Sequence, residues 1–192
     1  ALESAGLRDE LGGADSSVDL FEANSIQVLT EPAAERLPGV ERGNVLLSFP
    51  KLSLVAVLDL NTEQIVWTGR GDFEFQHDVN MLPNGNLLLF DGRIGQGARA
   101  VEVDPLTMKT VWSTVVFPGS VSEVPRVGLV DRLAEGRTLV VDTNSGHAIE
   151  LSPGGETVWE FINPHRVGQT GSRVALLPQV TRLEPDSMDW LA

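Results

Sequence analysis

The sequence contains no cysteine, which excludes disulfides and thiolate metal sites and leaves the redox compartment open. Positive charge is scarce: 14 Lys and Arg stand against 27 Asp and Glu, a formal net charge of −13. Such a chain repels phosphate backbones, and no basic run forms a local patch, so nucleic acid is not an expected partner. Long apolar runs are missing too; none approaches the ~20 residues of a membrane-spanning helix. Helical periodicity is weak except around Leu2 to Leu11, and Ala1 to Leu7 lacks the basic start and apolar centre of a secretory leader. What remains is a globular composition, 42% hydrophobic over 192 residues, enough for one domain with a substantial core.

That domain is repetitive. Ala56 to Trp67 (AVLDLNTEQIVW), Ala100 to Trp112 (AVEVDPLTMKTVW) and Ala148 to Trp159 (AIELSPGGETVW) superimpose. Each has an alternating strand, a turn rich in Asn, Pro, Thr or Gly, and a second strand ending in Val-Trp. The tryptophans fall 45 and 47 residues apart. Before each segment lies a short apolar run, Asn44 to Phe49, Asn86 to Phe90 and Thr138 to Val141, suited to a strand buried on both faces. Upstream again stand Ser25 to Leu29, His77 to Leu82 and Pro125 to Val130. Four strands per ~45 residues is the period of a β-propeller blade.

Turn chemistry agrees. Pro83-Asn84-Gly85-Asn86 separates two apolar runs, and Asn-Gly is a strong hairpin signal because both residues tolerate positive φ. Asp104-Pro105-Leu106-Thr107 and Ser152-Pro153-Gly154-Gly155 take the same place in later repeats. The tryptophans are expected to be substantially buried at equivalent places between neighbouring sheets. The chain therefore reads as one all-β domain, residues 1–192, of about three full blades and a remnant at Ser172 to Leu183. An extension at 1–18 precedes them. Closed propellers carry about four to eight blades, so at least one sheet face is left open. A second copy or another protein subunit is expected to cover it; folding back of the N-terminal segment is the alternative.

The string Gln76-His77-Asp78-Val79-Asn80-Met81-Leu82-Pro83-Asn84-Gly85-Asn86, closing at Phe90-Asp91, resembles a hallmark of arylsulfotransferase-like propeller proteins. Asp19 to Ile26 and Thr157 to His165 resemble their upstream and closing blades. The resemblance implies a propeller of six blades, of which this chain matches the C-terminal half, and an extracytoplasmic (periplasmic or secreted) location. It also implies transfer of a sulfuryl group between phenols through a sulfohistidine, with no cofactor. A neutral imidazole attacks sulfur while cationic or hydrogen-bonding groups hold the sulfuryl oxygens. On that pattern His77 is the candidate catalytic residue. Asn24, Asn80 and Arg93 (or Arg99 in its place) are candidate substrate-binding residues, with Glu22 nearby. These groups are expected to face one concave end.

The sequence also departs from the pattern. Glu22 stands where the family has an earlier histidine, and Val124 to Leu129 carries none where the nucleophile is expected. A carboxylate at Glu22 repels a sulfate ester. The expectation is therefore a non-catalytic binding or assembly module; an aryl sulfate sulfotransferase is the alternative. His147 reads as an exposed loop residue, and His165 as a cap on the last blade. Asp142 to Gly146 reads as an Asx turn rather than a calcium loop, lacking the closing Glu.

Overall fold

A computed structural model of the protein describes residues 21–30, 36–117, 126–168, 171 and 173–183. The expected extension at 1–18, the helical signal at Leu2 to Leu11, and Pro125 lie outside them.

Three four-stranded antiparallel sheets follow one another along the chain, with strands adjacent in sequence order. Blade 1 comprises β1 (Ser25–Val28), β2 (Val45–Phe49), β3 (Leu54–Asp59) and β4 (Gln64–Gly69). Blade 2 comprises β5 (His77–Met81), β6 (Leu87–Asp91), β7 (Arg99–Asp104) and β8 (Lys109–Val115). Blade 3 comprises β9 (Gly128–Arg132), β10 (Thr138–Asp142), β11 (His147–Leu151) and β12 (Thr157–Ile162). A two-stranded hairpin, β13 (Arg166–Val167) and β14 (Arg173–Val174), comes last. The described residues form no α-helix, only short 3-10 turns such as Pro50–Leu52. Among the described residues the sheets do not close into a ring. The propeller-blade expectation holds, although β9 begins at Gly128, three residues later than the apolar run suggested.

Each blade repeats a local device at its Val-Trp pair. Val57 lies opposite Trp67 and Leu58 opposite Ile65, which leaves Val66 as an extra residue. Val111 is extra between Trp112, opposite Glu102, and Thr110, opposite Val103. Val158 is extra between Trp159, opposite Glu150, and Thr157, opposite Leu151. A β-bulge of this kind bends and twists the outer strand, and here it puts each tryptophan on the face turned toward the following blade. The tryptophans thus occupy equivalent places.

Packing follows from the register. Val79, Met81, Leu87 and Leu89 of blade 2 meet Leu46, Val55 and Val57 of blade 1, with Trp67 packed against this core. The opposite face of blade 2, with Leu88, Phe90 and Ala100, meets Val140, Ile149 and Leu151 of blade 3, with Trp112 alongside. Among the described residues nothing comparable follows blade 3. Trp159 is 40% exposed and stacks on Phe161 at 6.3 Å. The expected burial of all three tryptophans fails at the third, because burial there depends on a blade the described chain does not supply.

Candidate functional site

The first strands of the blades lie side by side, joined through side chains rather than a backbone ladder. The Ser25 hydroxyl oxygen accepts from the Val79 amide at 3.1 Å, and Gln27 Oε1 accepts from the Met81 amide at 2.6 Å. One blade on, Asp78 Oδ2 accepts from the Val130 amide at 2.7 Å, while Asn80 donates to the Val130 carbonyl at 3.4 Å. Polar residues on these strands thus hold neighbouring blades together near the propeller axis.

Gln76 is the deepest such staple. Its side chain is fully buried and donates to the Leu54 carbonyl at 3.0 Å and to Ser48 Oγ at 3.2 Å, both in blade 1. Its backbone carbonyl accepts from Asn24 Nδ2 at 2.8 Å. Asn24 is therefore placed beside the QHD segment, its Nδ2 engaged and its buried Oδ1 without a hydrogen-bond partner among the described residues.

His77 opens β5, half-buried. Its Nδ1 donates to the Phe75 carbonyl at 2.9 Å, which fixes the neutral tautomer with an unprotonated Nε2. Burial holds its pKa below the ordinary histidine value. The backbone around it is unusual: Phe75 and Asp78 have φ of 49° and 50°, a left-handed conformation that costs energy for an aromatic residue. The register explains the Asp78 conformation. His77 pairs with Phe90 and Asn80 with Leu88, so Asp78 and Val79 together oppose Leu89. This second kind of bulge turns Asp78 toward blade 3, where burial raises its carboxyl above the usual range.

Glu22 lies exposed and paired with Lys51 at 2.8 Å. That hydrogen bond, with the lysine charge, lowers its pKa, and its field acts on the His77 ring. Asn80 donates to the Asp78 and Val130 carbonyls. Arg93 is buried and faces two carboxylates. Its Nε meets Asp91 Oδ2 at 2.9 Å and its Nη2 meets Asp72 Oδ1 at 3.0 Å. Arg99 shares both partners, at 2.8 Å from Asp91 and 3.2 Å from Asp72. The two guanidiniums and two carboxylates form one neutralised cluster, and the hydrogen bond from Arg93 lowers the Asp72 pKa.

Glu22, Asn24 and His77 are thus brought to one neighbourhood and Asn80 lies further along the same strand, while Arg93 belongs to a self-contained ion cluster. Sequence reading overlooked Gln76, Asp78 and Asp72. Gln76 and Asp78 stood inside the motif; Asp72 had no signal beyond its charge. His147 also differs from expectation: it begins β11, bonds Glu160 through Nε2 at 2.7 Å and packs on Phe117 at 4.6 Å. Asp142 forms the Asx turn, accepting from the Asn144 and Ser145 amides.

A family model described as arylsulfotransferase (ASST) matches residues 3–164, well over half of the chain. The chain belongs to that family. Comparison with curated proteins gives no match. Among solved structures, hydrazine synthase of Kuenenia stuttgartiensis is similar at 13% identity and a TM-score of 0.49, over 80% of this chain and 39% of that one. A Bacteroides caccae protein of unknown function is similar at 16% identity and a TM-score of 0.47, over 62% and 42%. The β-propeller domain of Swd1 from Myceliophteria thermophila is similar at 14% identity and a TM-score of 0.44, over 64% and 40%. The chain spans less than half of each of these structures.

Proposed function

We propose that this ASST-family propeller segment is a non-catalytic binding or assembly module, acting outside the cytoplasm as part of a larger structure. The observation that carries the reading is the engagement of its polar groups. Arg93 and Arg99 are matched by Asp91 and Asp72, so their charge is already balanced where sulfuryl oxygens would need a cation. Asn24, Asn80 and Asp78 bond backbone groups of neighbouring strands. The QHD segment works here as an inter-blade fastener, and the carboxylate of Glu22 beside it is matched by Lys51.

One observation favours the alternative, an aryl sulfate sulfotransferase. His77 Nδ1 donates to the Phe75 carbonyl and burial lowers the ring's pKa, so that in the neutral ring Nε2 is the unprotonated nitrogen a sulfuryl acceptor requires. An assay with an aryl sulfate donor and a phenol acceptor separates the two. The expected result is no transfer above the uncatalysed rate; transfer abolished by His77→Ala would sink the non-catalytic reading.

A further inference from the structure

The two inter-blade seams differ at one register. Val57 and Glu102 hold the same place on the third strands of blades 1 and 2, each opposite its blade's tryptophan. Met81 and Arg132 hold the same place on the first strands of blades 2 and 3, paired with Leu87 and Thr138. Between blades 1 and 2, Val57 and Met81 belong to one apolar cluster, with Trp67 packed against it. Between blades 2 and 3 the same two places carry charge. Arg132 Nη2 donates to Glu102 Oε2 at 2.7 Å, and the guanidinium lies over the Trp112 ring at 4.9 Å. Glu102 is 7% exposed, and its other oxygen accepts from the Asn84 amide at 3.0 Å and the Asn86 amide at 2.7 Å. Those donors are neutral and belong to its own blade. Among the described residues its one ion-pair partner is Arg132, from blade 3.

We infer that Glu102 and Arg132 form a pairing key, which decides which blade seats on which rather than adding stability. Elsewhere the two seats match: Leu46 and Val55 of blade 1 stand at the register of Leu88 and Ala100 of blade 2, all of them buried in the seams. Shape alone therefore discriminates poorly between the blades that dock there. The key does so by charge. Were blade 2 of a second copy to take the place of blade 3, Met81 would meet Glu102. Were blade 3 to dock on blade 1, Arg132 would meet Val57. Either wrong seam buries a charge without its counter-charge, which is strongly destabilising, whereas a matched buried pair is often no better than the apolar side chains that could replace it. The seam between blades 1 and 2 shows that apolar solution at the same register. What the pair contributes is the difference between right and wrong partners.

The test is a double-mutant cycle on the 192-residue chain, read by denaturant unfolding and by light scattering after refolding. Arg132→Met is expected to lower the folding constant at least ~10-fold. Glu102→Gln, which keeps an acceptor for both asparagines, should lower it less. The double variant should recover most of the Arg132→Met loss. It should nevertheless form more oligomer than the parent at equal concentration, with the excess growing as concentration rises. Arg132→Lys, which keeps the charge, should lose less than Arg132→Met and show no such excess. A double variant as unstable as Arg132→Met, or unfolded beside folded single variants, overturns the proposal. So does a double variant no more oligomeric than the parent, or an Arg132→Lys as damaging as Arg132→Met; either would leave charge no part in choosing the partner.

Discussion

Blades 2 and 3 are built to one pattern and differ in what surrounds them. In both, the second strand is buried throughout, the third pairs with it in full register, and a bulge before tryptophan shapes the fourth. Blade 2 is enclosed by a sheet on each face, and Trp112 sits beneath Arg132. Blade 3 is enclosed by a sheet on one face, and all six residues of β12 are exposed. The same motif therefore encodes a core residue in one place and a surface residue in another. What a propeller repeat specifies is a pair of complementary faces; burial is a property of the stack.

The sharpest way to break this comparison is to remove one aromatic ring from the enclosed seam and one from the open face. Phe90 is fully buried between blades 2 and 3, so Phe90→Ala is expected to cost about 3–5 kcal/mol in denaturant unfolding. Trp159→Ala removes a larger side chain from a half-open face, yet is expected to cost about 1 kcal/mol or less. Equal losses would mean that blade 3 is covered as completely as blade 2.

The seam between the blades offers a second test, with a smaller effect. A Cβ on Gly128 would lie 2.4 Å from Phe90 Cε2 and 2.5 Å from the Val141 carbonyl oxygen. Gly128→Ala must shift backbone as well as a ring, for about 1–3 kcal/mol of destabilisation. At Gly154, in the outer turn of blade 3, the nearest atom to a Cβ is Ser152 Oγ at 3.6 Å. Gly154→Ala is therefore expected to be neutral or slightly stabilising in the same thermal or denaturant scan. A neutral Gly128→Ala would mean that blades 2 and 3 do not meet as closely as described.

Much of this architecture was legible in the sequence because propeller blades are local. Strands adjacent in the chain pair in the sheet, so period-two runs such as Leu87 to Phe90 and turns such as Asn84-Gly85 carry the topology directly. The bulges were less legible: Val-Trp reads as two ordinary strand residues, and only the pairing shows that Val66, Val111 and Val158 are extra. The site was legible in its address and not in its chemistry. His77, Asn24 and Asn80 were recognised by motif, but the partners of Asn24 and Asn80 lie 52 and 50 residues away in neighbouring blades. The arginines needed Asp72, 21 and 27 residues distant, to become a closed ion cluster. Long-range pairing of this kind leaves no local pattern.

Gln76 tests the fastener reading between blades 1 and 2. Its amide donates to Leu54 and Ser48 inside the seam, and truncation leaves the Leu54 carbonyl without that donor. Gln76→Ala is expected to cost about 1–3 kcal/mol, whereas Gln27→Ala, whose contacts with Met81 lie on a half-buried strand, should cost less. Reversal of that order would place the principal fastening nearer the axis.

The smallest effect, and the most specific, concerns Asp78, which joins blade 2 to blade 3. Burial raises its folded-state pKa above the ordinary aspartate value, the Val130 hydrogen bond opposing only part of the shift. Between the unfolded pKa near 3.9 and the higher folded value, the unfolded chain has released this proton while the folded chain keeps it. Stability from this group is therefore fully present below the unfolded pKa and is lost as pH rises through the folded pKa. His77 acts in the opposite sense. Its pKa is lowered by burial, so its contribution is lost as pH falls below the unfolded value near 6.5. Asp78→Asn keeps an acceptor for the Val130 amide and tolerates the left-handed backbone, while removing the charge that burial penalises. The variant is expected to equal the parent near pH 4 and to unfold at slightly higher denaturant at pH 7 to 8. The His77 limb should move to lower pH, because the Asp78 charge is one of the influences that raise the His77 pKa. A variant less stable at pH 8 than the parent would mean that the ionised carboxylate, rather than its acceptor geometry, holds blade 3 against blade 2.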